Sequence, residues 1–191
     1  MSNGKISDII KFTGKFFTRP RTTGSIVPSS AFLGRRMAKD ANIRPGMIVV
    51  ELGPGTGAIT AKLLDAGLAP ELLYCIEFDA KLCEILSRRF PDINIVHDSA
   101  EHASEIMKEH VGNICAVVSS LPLVNLPQFL CAAVLRESEC MLEKGGRFVQ
   151  FTYNLKRKPE TAFRFEKMRY VGHSKVMANI PPARVDVFEK V

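Results

Sequence analysis

The feature that most constrains this chain is an apolar run that ends in an acid and passes directly into a glycine-rich turn. Residues 49–57 read Val-Val-Glu-Leu-Gly-Pro-Gly-Thr-Gly, and residues 58–64 follow with a helical pattern. A buried strand, a tight turn and a helix in this order begin a nucleotide-binding α/β unit. The glycines permit positive φ angles and allow a ligand to approach the backbone closely.

Two kinds of ligand fit this turn. Gly53, Gly55 and Ala58 match the dinucleotide pattern G-x-G-x-x-A, in which a pyrophosphate lies on the helix N-terminus. Glu51 would then place a carboxylate beside a polyanion, and Gly57 changes the spacing to G-x-G-x-G. Both details favour a cationic ligand without phosphate. The pattern E-x-G-x-G-x-G resembles the first motif of S-adenosylmethionine (SAM) methyltransferases, whose cofactor has an ammonium and a sulfonium. We therefore predict that Glu51 and the three glycines bind SAM.

Two further acidic segments complete the predicted cofactor site. The strand-like run 72–77 ends in Glu77, about 20 residues past the turn, where such folds place the acid that binds the ribose hydroxyls. A solvated charge at the strand end is the alternative for Glu77, and Asp79 is a neighbouring candidate for the same role. After the run 93–96, Asp98-Ser99-Ala100 resembles the adenine-binding turn of the family, with Asp98 accepting from the exocyclic amine. Asp98 is equally suited to capping a helix that begins near Glu101.

The order of strand-like and helical segments predicts the fold class. Helical patterns fill most of the gaps between seven strand-like runs, at 47–51, 72–77, 93–96, 114–118, 147–153, 171–178 and 184–189. This alternation predicts an α/β protein with a mostly parallel sheet and helices on both faces. Seven strands match the Rossmann-like, doubly wound sheet of class I methyltransferases, with the last strand antiparallel. We expect Gly145-Gly146 to break the chain before the fifth strand and Pro181-Pro182 to turn the final hairpin.

Composition narrows the environment and the partners. The 191 residues suit one domain with a proper core, and no stretch has the length of a transmembrane helix or the pattern of a signal peptide. We therefore expect a cytoplasmic protein. The five cysteines form no C-x-x-C pair, which predicts buried free thiols, and the four histidines show no metal-ligand spacing, so we expect no metal. The formal net charge of +6 favours an anionic partner, either nucleic acid or an acidic lipid surface.

The loop after the fourth strand bears on the methyl acceptor. It reads Ser119-Ser120-Leu121-Pro122-Leu123, and in this fold it lies beside the transferable methyl. Methyltransferases that act on the amines of bases have an N-x-P-[YF] motif here, so Ser120 replaces the amide and Leu123 replaces the aromatic ring. Stacking contributes about 1–3 kcal/mol per base, so its loss argues against a flipped nucleobase and favours an aliphatic amine. An ordinary strand-to-helix turn is the alternative.

The N-terminal segment predicts a surface helix. Apolar residues recur at helical spacing over residues 6–17, and Lys11, Lys15 and Arg19 follow another face. Residues 1–21 contain five basic side chains and one acid. A basic amphipathic helix with phenylalanines resembles an interfacial membrane helix, and a helix packed on the rim of the sheet is the alternative. We assign 1–20 to this helix and 21–191 to the methyltransferase domain.

Several phrases together resemble the bacterial phospholipid N-methyltransferases, which convert phosphatidylethanolamine towards phosphatidylcholine. They are the glycine turn, the Ser-Leu-Pro-Leu loop and the segments 24–30, 150–153 and 179–185, and the similarity extends from about residue 10 to the C-terminus. It implies a peripheral enzyme on the inner face of an anionic membrane, with nucleic acid an unlikely partner. The fold is also similar to the ribosomal RNA adenine dimethyltransferases, whose usual C-terminal helical domain has no room in this chain. A nucleic-acid adenine methyltransferase and a non-catalytic SAM- or lipid-binding module are the rival hypotheses.

The resemblance also implies roles for individual residues near the acceptor. Ser119 or Ser120, with the carbonyls of Leu121 and Pro122, would orient the lone pair of the amine. Tyr153 is the candidate active-site phenol, and a packed aromatic side chain is its alternative.

Two further roles concern the lipid phosphate and the cofactor. Arg184 would bind the phosphate bidentately, although a structural salt bridge is nearly as well supported. Ser29 and Ser30 belong to a segment that closes over the cofactor in the resembling families. Their alternative is to cap a helix over 31–39.

Overall fold

A computed structural model describes residues 28–156 and 158–191, and these form one seven-stranded sheet. The strand order is β3-β2-β1-β4-β5-β7-β6. The first five strands are parallel, whereas β7 runs antiparallel to both β5 and β6. This arrangement confirms the predicted fold class. The strands are β1 Ile48–Leu52, β2 Leu73–Glu77, β3 Asn94–His97, β4 Ile114–Ser119, β5 Leu142–Thr152, β6 Met168–Val176 and β7 Ala183–Lys190.

Helices cover both faces of the sheet, because most of its strands bury side chains on both sides. They are α1 Pro28–Asp40, α2 Ala58–Asp65, α3 Ala80–Arg89, α4 Ala103–Ile106, α5 Gln128–Met141 and α6 Pro159–Ala162. Alternate residues of a strand point to opposite faces. Val117 therefore packs in a cluster with α5, and its neighbour Val118 packs in the cluster formed with α1 and α2.

The fifth strand begins earlier than the sequence predicts. Met141 ends α5, and β5 starts at once with Leu142. The pairing with β4 jumps from Ile114↔Leu142 to Ala116↔Arg147, so Gly145 and Gly146 lie in an irregularity inside the strand. Gly145 has φ +80°, and a Cβ on Gly146 would lie 3.0 Å from the carbonyl oxygen of Ile114. The prediction that this glycine pair breaks the chain before β5 is therefore wrong.

The first helix also differs from its prediction. Because α1 begins at Pro28, Ser29 and Ser30 lie within its first turn and do not precede it as caps. The predicted helix over 1–20, with Lys11, Lys15 and Arg19, lies outside the described residues. Among the helices of the described ranges, none combines the length and apolarity that a bilayer crossing requires.

All five cysteines lie within the described residues, where no disulfide bond joins them, but they are not all buried. Only Cys75, on β2, is buried, and Cys140, near the end of α5, is exposed. The prediction of five buried thiols is therefore wrong for the other four. Helical position alone does not decide burial, because a helix in this fold has a solvent face as well as a core face.

The glycine turn adopts a backbone that requires glycine at three positions. Gly53, Gly55 and Gly57 have φ angles of +67°, +60° and +82°. A Cβ on Gly53 would lie 2.5 Å from Cδ2 of Leu121, whereas one on Gly55 would meet nothing within 4 Å. The turn is thus packed against its neighbours at Gly53, whereas the buried Gly55 lies beside a space that a Cβ would enter without contact.

Phe90, just after α3, packs closely against Gly57. A Cβ on Gly57 would overlap Cε2 of Phe90, whereas a Cβ on Gly112, at nearly the same φ of +81°, would meet nothing within 4 Å. We expect Gly112→Ala to cost about 1–2 kcal/mol from its left-handed backbone alone. Gly57→Ala should cost roughly 1–3 kcal/mol more because of overpacking. Urea unfolding measures both, and equal losses would contradict the proposed overlap.

Candidate functional site

The carboxyl ends of β1, β4 and β5 meet at one edge of the sheet. Leu52 is the register partner of Ser119, which in turn pairs with Gln150. The glycine turn leaves β1 at this edge, and Gly53 donates its N–H to the carbonyl of Ile76 on β2. The register therefore brings the predicted cofactor turn and the predicted acceptor loop together at one edge, where ligands of open α/β sheets bind.

Glu51 lies fully buried beneath the turn. Its Oε2 accepts a hydrogen bond from Thr60 Oγ1 at 2.7 Å and one from Cys75 Sγ at 3.7 Å. Its Oε1 has no partner among the described residues. Burial raises the pKa of Glu51 from 4.5 to about 7, despite the hydrogen bond from Thr60. A half-satisfied acidic group in this position suits a ligand that supplies an N–H donor or a positive charge.

Glu77 supports the backbone of the same turn. Its Oε2 accepts from the Gly55 N–H at 3.0 Å and its Oε1 accepts from the Asp79 N–H at 2.9 Å. The side chain is almost fully buried, and this burial raises the pKa of its carboxyl group. Asp79 has another function, because its Oδ1 caps α3 by accepting from the N–H groups of Lys81 and Leu82. Glu77 therefore remains the better candidate for the ribose hydroxyls.

The Asp98-Ser99-Ala100 turn follows β3 at the same edge. The Asp98 N–H donates to the carbonyl of Glu77, which fixes this turn beside the end of β2. Asp98 Oδ1 accepts from the Ser99 N–H and contacts Nδ1 of His102 at 2.9 Å. That contact lowers the pKa of Asp98 and raises the pKa of His102. Asp98 thus holds the start of the following 3₁₀ turn, and its exposed carboxylate can still accept from an adenine amine.

The acceptor loop differs in part from the prediction. The Leu121 carbonyl already accepts from the Leu123 N–H and from Gln150 Nε2, at 2.9 and 3.0 Å. Both of its lone pairs are occupied, so the predicted role of Leu121 in holding an amine is wrong for this arrangement. The Pro122 carbonyl accepts only from the Asn125 N–H among the described contacts and retains capacity. Leu123 is buried in the core, so an apolar core residue stands at the position of the missing aromatic ring.

Four buried side-chain oxygens have no hydrogen-bond partner within residues 28–156 and 158–191. They are Glu51 Oε1, Ser119 Oγ, Ser120 Oγ and Gln150 Oε1. All four belong to residues at or near the carboxyl ends of β1, β4 and β5. Glu51, the partner of Val118, points to the face covered by α1 and α2, whereas Ser119 and Gln150 point to the opposite face. Unpartnered buried acceptors are rare in folded proteins, so their occurrence at the ends of three neighbouring strands indicates that ligands with hydrogen-bond donors complete this edge.

Gln150 is the site residue that sequence reasoning missed. Its Nε2 donates to the carbonyls of Leu121 and Phe151, which fixes the orientation of the amide and leaves Oε1 free. The sequence does contain an indication of this role, because Gln150 is a polar residue between Val149 and Phe151 on a strand predicted to be buried. A buried amide in a β core needs partners, and its cross-strand neighbour Ser119 is already a predicted site residue.

Tyr153 lies just beyond β5 at the rim of this edge. Its ring makes an edge-to-face contact with Phe151, at a centroid distance of 5.5 Å, and half of the side chain is exposed. Partial burial raises the pKa of its phenol, so the hydroxyl is protonated at neutral pH. Tyr153 can therefore donate a hydrogen bond or present its ring, but it is not a base at neutral pH.

Arg184 is a structural residue in this fold. Its Nε and Nη2 donate to the two carboxylate oxygens of Asp186, at 2.7 and 3.0 Å, and Nη1 donates to the carbonyl of Leu155. Arg184 is 5% exposed and Asp186 is fully buried. The predicted phosphate-binding role is therefore wrong, because the guanidinium face that would grip a phosphate is already paired. The salt bridge considered as its alternative is what the structure contains.

Residues 28–156 and 158–191 contain no cluster of three or more His, Cys, Asp or Glu side chains that could hold a metal ion. The described histidines instead make single contacts. His110 contacts the hydroxyl of Tyr74 at 3.1 Å, and His173 contacts the hydroxyl of Tyr170 at 2.7 Å.

Comparisons with known proteins agree with this geometry. The doubly wound sheet and the family match together define an S-adenosylmethionine-dependent methyltransferase. The chain belongs to the ribosomal RNA adenine dimethylase family, whose model matches residues 29–144. The fold is shared with 1,6-didemethyltoxoflavin-N1-methyltransferase of Burkholderia thailandensis, at a TM-score of 0.70 and 13% identity, over 100% of this chain and 91% of that one.

Two curated relatives represent different acceptors. An ornithine lipid N-methyltransferase from Singulisphaera acidiphila is 28% identical over 151 residues, which are 77% of this chain and 79% of that protein. A ribosomal RNA small subunit methyltransferase A from Prosthecochloris aestuarii is 34% identical over 98 residues, which are 48% of this chain and 36% of that protein. The chain thus spans most of the lipid enzyme and about a third of the RNA enzyme.

The raised pKa of Glu51 predicts a pH-dependent stability. Between pH 4.5 and 7 the folded protein holds a proton at Glu51 that the unfolded chain has lost, so stability falls as pH rises through this window. Since one pKa unit corresponds to about 1.4 kcal/mol, we expect the stability of the wild type relative to Glu51→Gln to fall by roughly 3 kcal/mol. Urea unfolding at pH 4.5 and 7.5 measures this difference. If the stability difference between the wild type and Glu51→Gln is the same at both pH values, the folded protein does not hold an extra proton at Glu51.

The buried ion pair predicts a large loss when its cation is removed. Arg184→Met leaves the Asp186 carboxylate buried without a partner and should cost about 3–5 kcal/mol. Arg169→Met is the matched control on the same hairpin, because its ion pair with Glu189 is largely exposed and should cost under about 1 kcal/mol. Unfolding free energies compare the two variants. A stable Arg184→Met protein that has lost only lipid affinity would restore the phosphate-binding role.

Proposed function

We propose that this chain is a phospholipid N-methyltransferase that methylates the amine of phosphatidylethanolamine towards phosphatidylcholine at a membrane surface. The observation that carries the proposal is the group of unpartnered acceptors at the carboxyl edge: Ser119 Oγ, Ser120 Oγ and Gln150 Oε1. An aliphatic amine supplies N–H donors and has no aromatic face, which is the complement of this group.

The acceptor loop supports an aliphatic amine over a nucleobase. Residues 119–126 contain no aromatic side chain, and Leu123, at the stacking position of base-methylating enzymes, is buried in the core. A flipped base would therefore lose about 1–3 kcal/mol of stacking at this loop. The ornithine lipid relative supports a lipid amine independently, because its similarity extends over 79% of its length.

The residues beneath the turn fit SAM. We assign Glu51 Oε1 and the space beside Gly55 to the amino-acid part of the cofactor, Glu77 to the ribose, and Asp98, Ser99 and Ala100 to the adenine. Ser29 and Ser30, in the first turn of α1, would close over it. When bound, SAM supplies an electrophilic methyl group on a sulfonium.

The chain itself would supply positioning more than acid–base chemistry. Ser119 and Ser120 would accept hydrogen bonds from the amine and aim its lone pair, with the carbonyl of Pro122 as a further acceptor. Gln150 would hold the loop through Leu121 and offer Oε1 to the same amine. Tyr153, protonated at neutral pH, would present its ring to the ammonium as methyl groups accumulate. Correct placement of the amine is then the main source of rate.

The N-terminal segment completes this proposal. We propose that residues 1–20 form a basic amphipathic helix on an anionic membrane, through Lys11, Lys15 and Arg19, and that residues 21–191 form the catalytic domain. Each basic side chain near such a surface adds about 1 kcal/mol to binding.

Methylation of an adenine in ribosomal RNA is the second candidate. The family match over residues 29–144 and the net charge of +6 favour it. Its own curated relative, however, aligns over only 36% of that protein's length. A module that binds SAM or lipid without catalysis is the third possibility, and the same experiment separates all three.

The test is methyl transfer from labelled SAM by the full-length protein. Anionic vesicles with phosphatidylethanolamine, the same vesicles with ornithine lipid, and small-subunit ribosomal RNA form three parallel arms. We expect label in the phosphatidylethanolamine arm. Label only in ornithine lipid would keep the lipid-amine class and correct the headgroup, whereas label only in RNA would overturn the proposal. SAM binding without label in any arm would favour the non-catalytic module.

Two variants test the acceptor residues in the same assay. Ser119→Ala and Ser120→Ala should each lower kcat roughly tenfold, the equivalent of one hydrogen bond, with SAM affinity unchanged. Ser138→Ala is the matched control, because the Ser138 hydroxyl is also buried but donates to the Val134 carbonyl within α5, away from the edge. Full activity in both site variants would exclude these residues from the acceptor site.

A further inference from the structure

The turn between β6 and β7 exposes large apolar side chains beside the candidate site. Ile180 is 77% exposed and Met177 is 64% exposed, and Tyr153 at the end of β5 is 50% exposed. We call these three residues the apolar rim. Single exposed apolar residues are ordinary, but three of the most exposed on neighbouring segments indicate a surface with a partner.

Register and contacts place the apolar rim at the edge where the acceptor loop lies. Thr152 pairs with Arg184 at the start of β7, so the turn over 177–182 is level with the end of β5. Asn179, inside this turn, is buried and donates from Nδ2 to the Pro181 carbonyl. Its side chain is near enough to Tyr153 to influence the pKa of the phenol, so the turn lies beside Tyr153.

The charged side chains on the two segments that form the apolar rim are of one sign, and the nearest acid along the chain is the exposed Glu160 on α6. Lys156, Lys158 and Lys175 are exposed on the segments that form it. The segments 153–158 and 175–182 contain no Asp or Glu. Apolar side chains surrounded by lysines suit the interfacial region of an anionic bilayer, where the apolar groups enter and the ammonium groups remain among the phosphates. A second copy of the chain would bring like charges together.

The start of the described chain lies towards the same edge. Arg147 Nη1 donates to the Asp40 carbonyl at the end of α1, near the amino ends of the strands. Farther back in α1, a Cβ on Gly34 would lie 3.4 Å from the Ala58 carbonyl, where α2 leaves the glycine turn. Helix α1 therefore runs from the carboxyl edge to the amino edge, so Pro28, its first residue, lies on the side of the apolar rim.

We propose that the apolar rim is a second membrane-contact surface, which inserts into an anionic bilayer and sets the carboxyl edge of the sheet against the headgroups. The proposal rests on the lipid substrate of the proposed function. It also defines how the site would be presented, because the rim and the acceptor loop face the same side. A lipid amine could then reach Ser119 and Ser120 without leaving the headgroup layer.

A single tryptophan tests this insertion directly, because the chain contains none. Met177→Trp in the full-length protein is mixed with vesicles of phosphatidylcholine and phosphatidylglycerol, with or without brominated acyl chains. We expect a blue shift of the emission and at least a twofold quenching by the brominated lipid. Val111→Trp is the matched control, because Val111 is an exposed apolar residue in the turn before β4, at the opposite edge. Its emission should not change.

Sedimentation with the same vesicles separates binding from insertion. Unchanged Met177→Trp emission overturns the proposal in either case: a protein that sediments binds through another surface, and one that does not sediment does not bind the vesicles. A blue shift present before vesicles are added would also overturn it. If the shift grows with protein concentration, a second copy of the chain covers the rim. If it does not, the chain's own N-terminal segment covers it. If Met177→Trp inserts into the vesicles but the protein transfers methyl groups only to RNA, the membrane contact of the rim is supported and the lipid substrate is refuted.

Discussion

The structure depends most on the buried carboxyl group of Glu51. It receives hydrogen bonds from Thr60 on α2 and Cys75 on β2, so one side chain links the first strand, the helix after the turn and the neighbouring strand. Its other oxygen is unpartnered, and burial raises its pKa to about 7. Apolar packing at this position would cost less in stability. The folded protein therefore loses stability by burying a half-satisfied carboxyl group, and a cationic ligand would offset this loss when it binds. A destabilising buried group of this kind is typical of a site preorganised for function.

The same logic extends along the carboxyl edge. Ser119, Ser120 and Gln150 are buried acceptors without partners, whereas the neighbouring carbonyl of Leu121 is fully occupied. The loop is thus held by one set of hydrogen bonds and leaves another set vacant. A ligand that brings donors would complete the second set without disturbing the first. An enzyme that accelerates a reaction by positioning its substrate needs such a separation. The hydrogen bonds that support the loop then stay in place while substrate binds and product leaves.

The fold was predictable because its signals are local, whereas part of the site was not. Apolar runs that end in Glu51 and Glu77 define two strand ends, and parallel pairing then places them at one edge. Arg184 and Asp186 stand two residues apart on β7, so their pairing on one face was available from the alternation of a strand. The inward direction of Leu123 and the double occupancy of the Leu121 carbonyl depend on the 3₁₀ turn over Leu123–Asn125 and on Gln150 from another strand. Such geometry is set by tertiary packing and has no local signature.

The division of the chain explains why similarity identifies the cofactor more readily than the acceptor. The family match over residues 29–144 contains β1 to β4 and the glycine turn, which are the parts that face SAM in our proposal. Gln150, Tyr153 and the turn with Met177 and Ile180 all follow that match. Within it, the loop over 119–123 is the segment that we propose to lie nearest the acceptor, and there the aromatic position is a buried leucine. Members of one family can share the matched half and still differ in acceptor, because function depends on the residues of the site and not on the fold. In our proposal, this loop and the residues beyond the match choose between an aliphatic amine and a base.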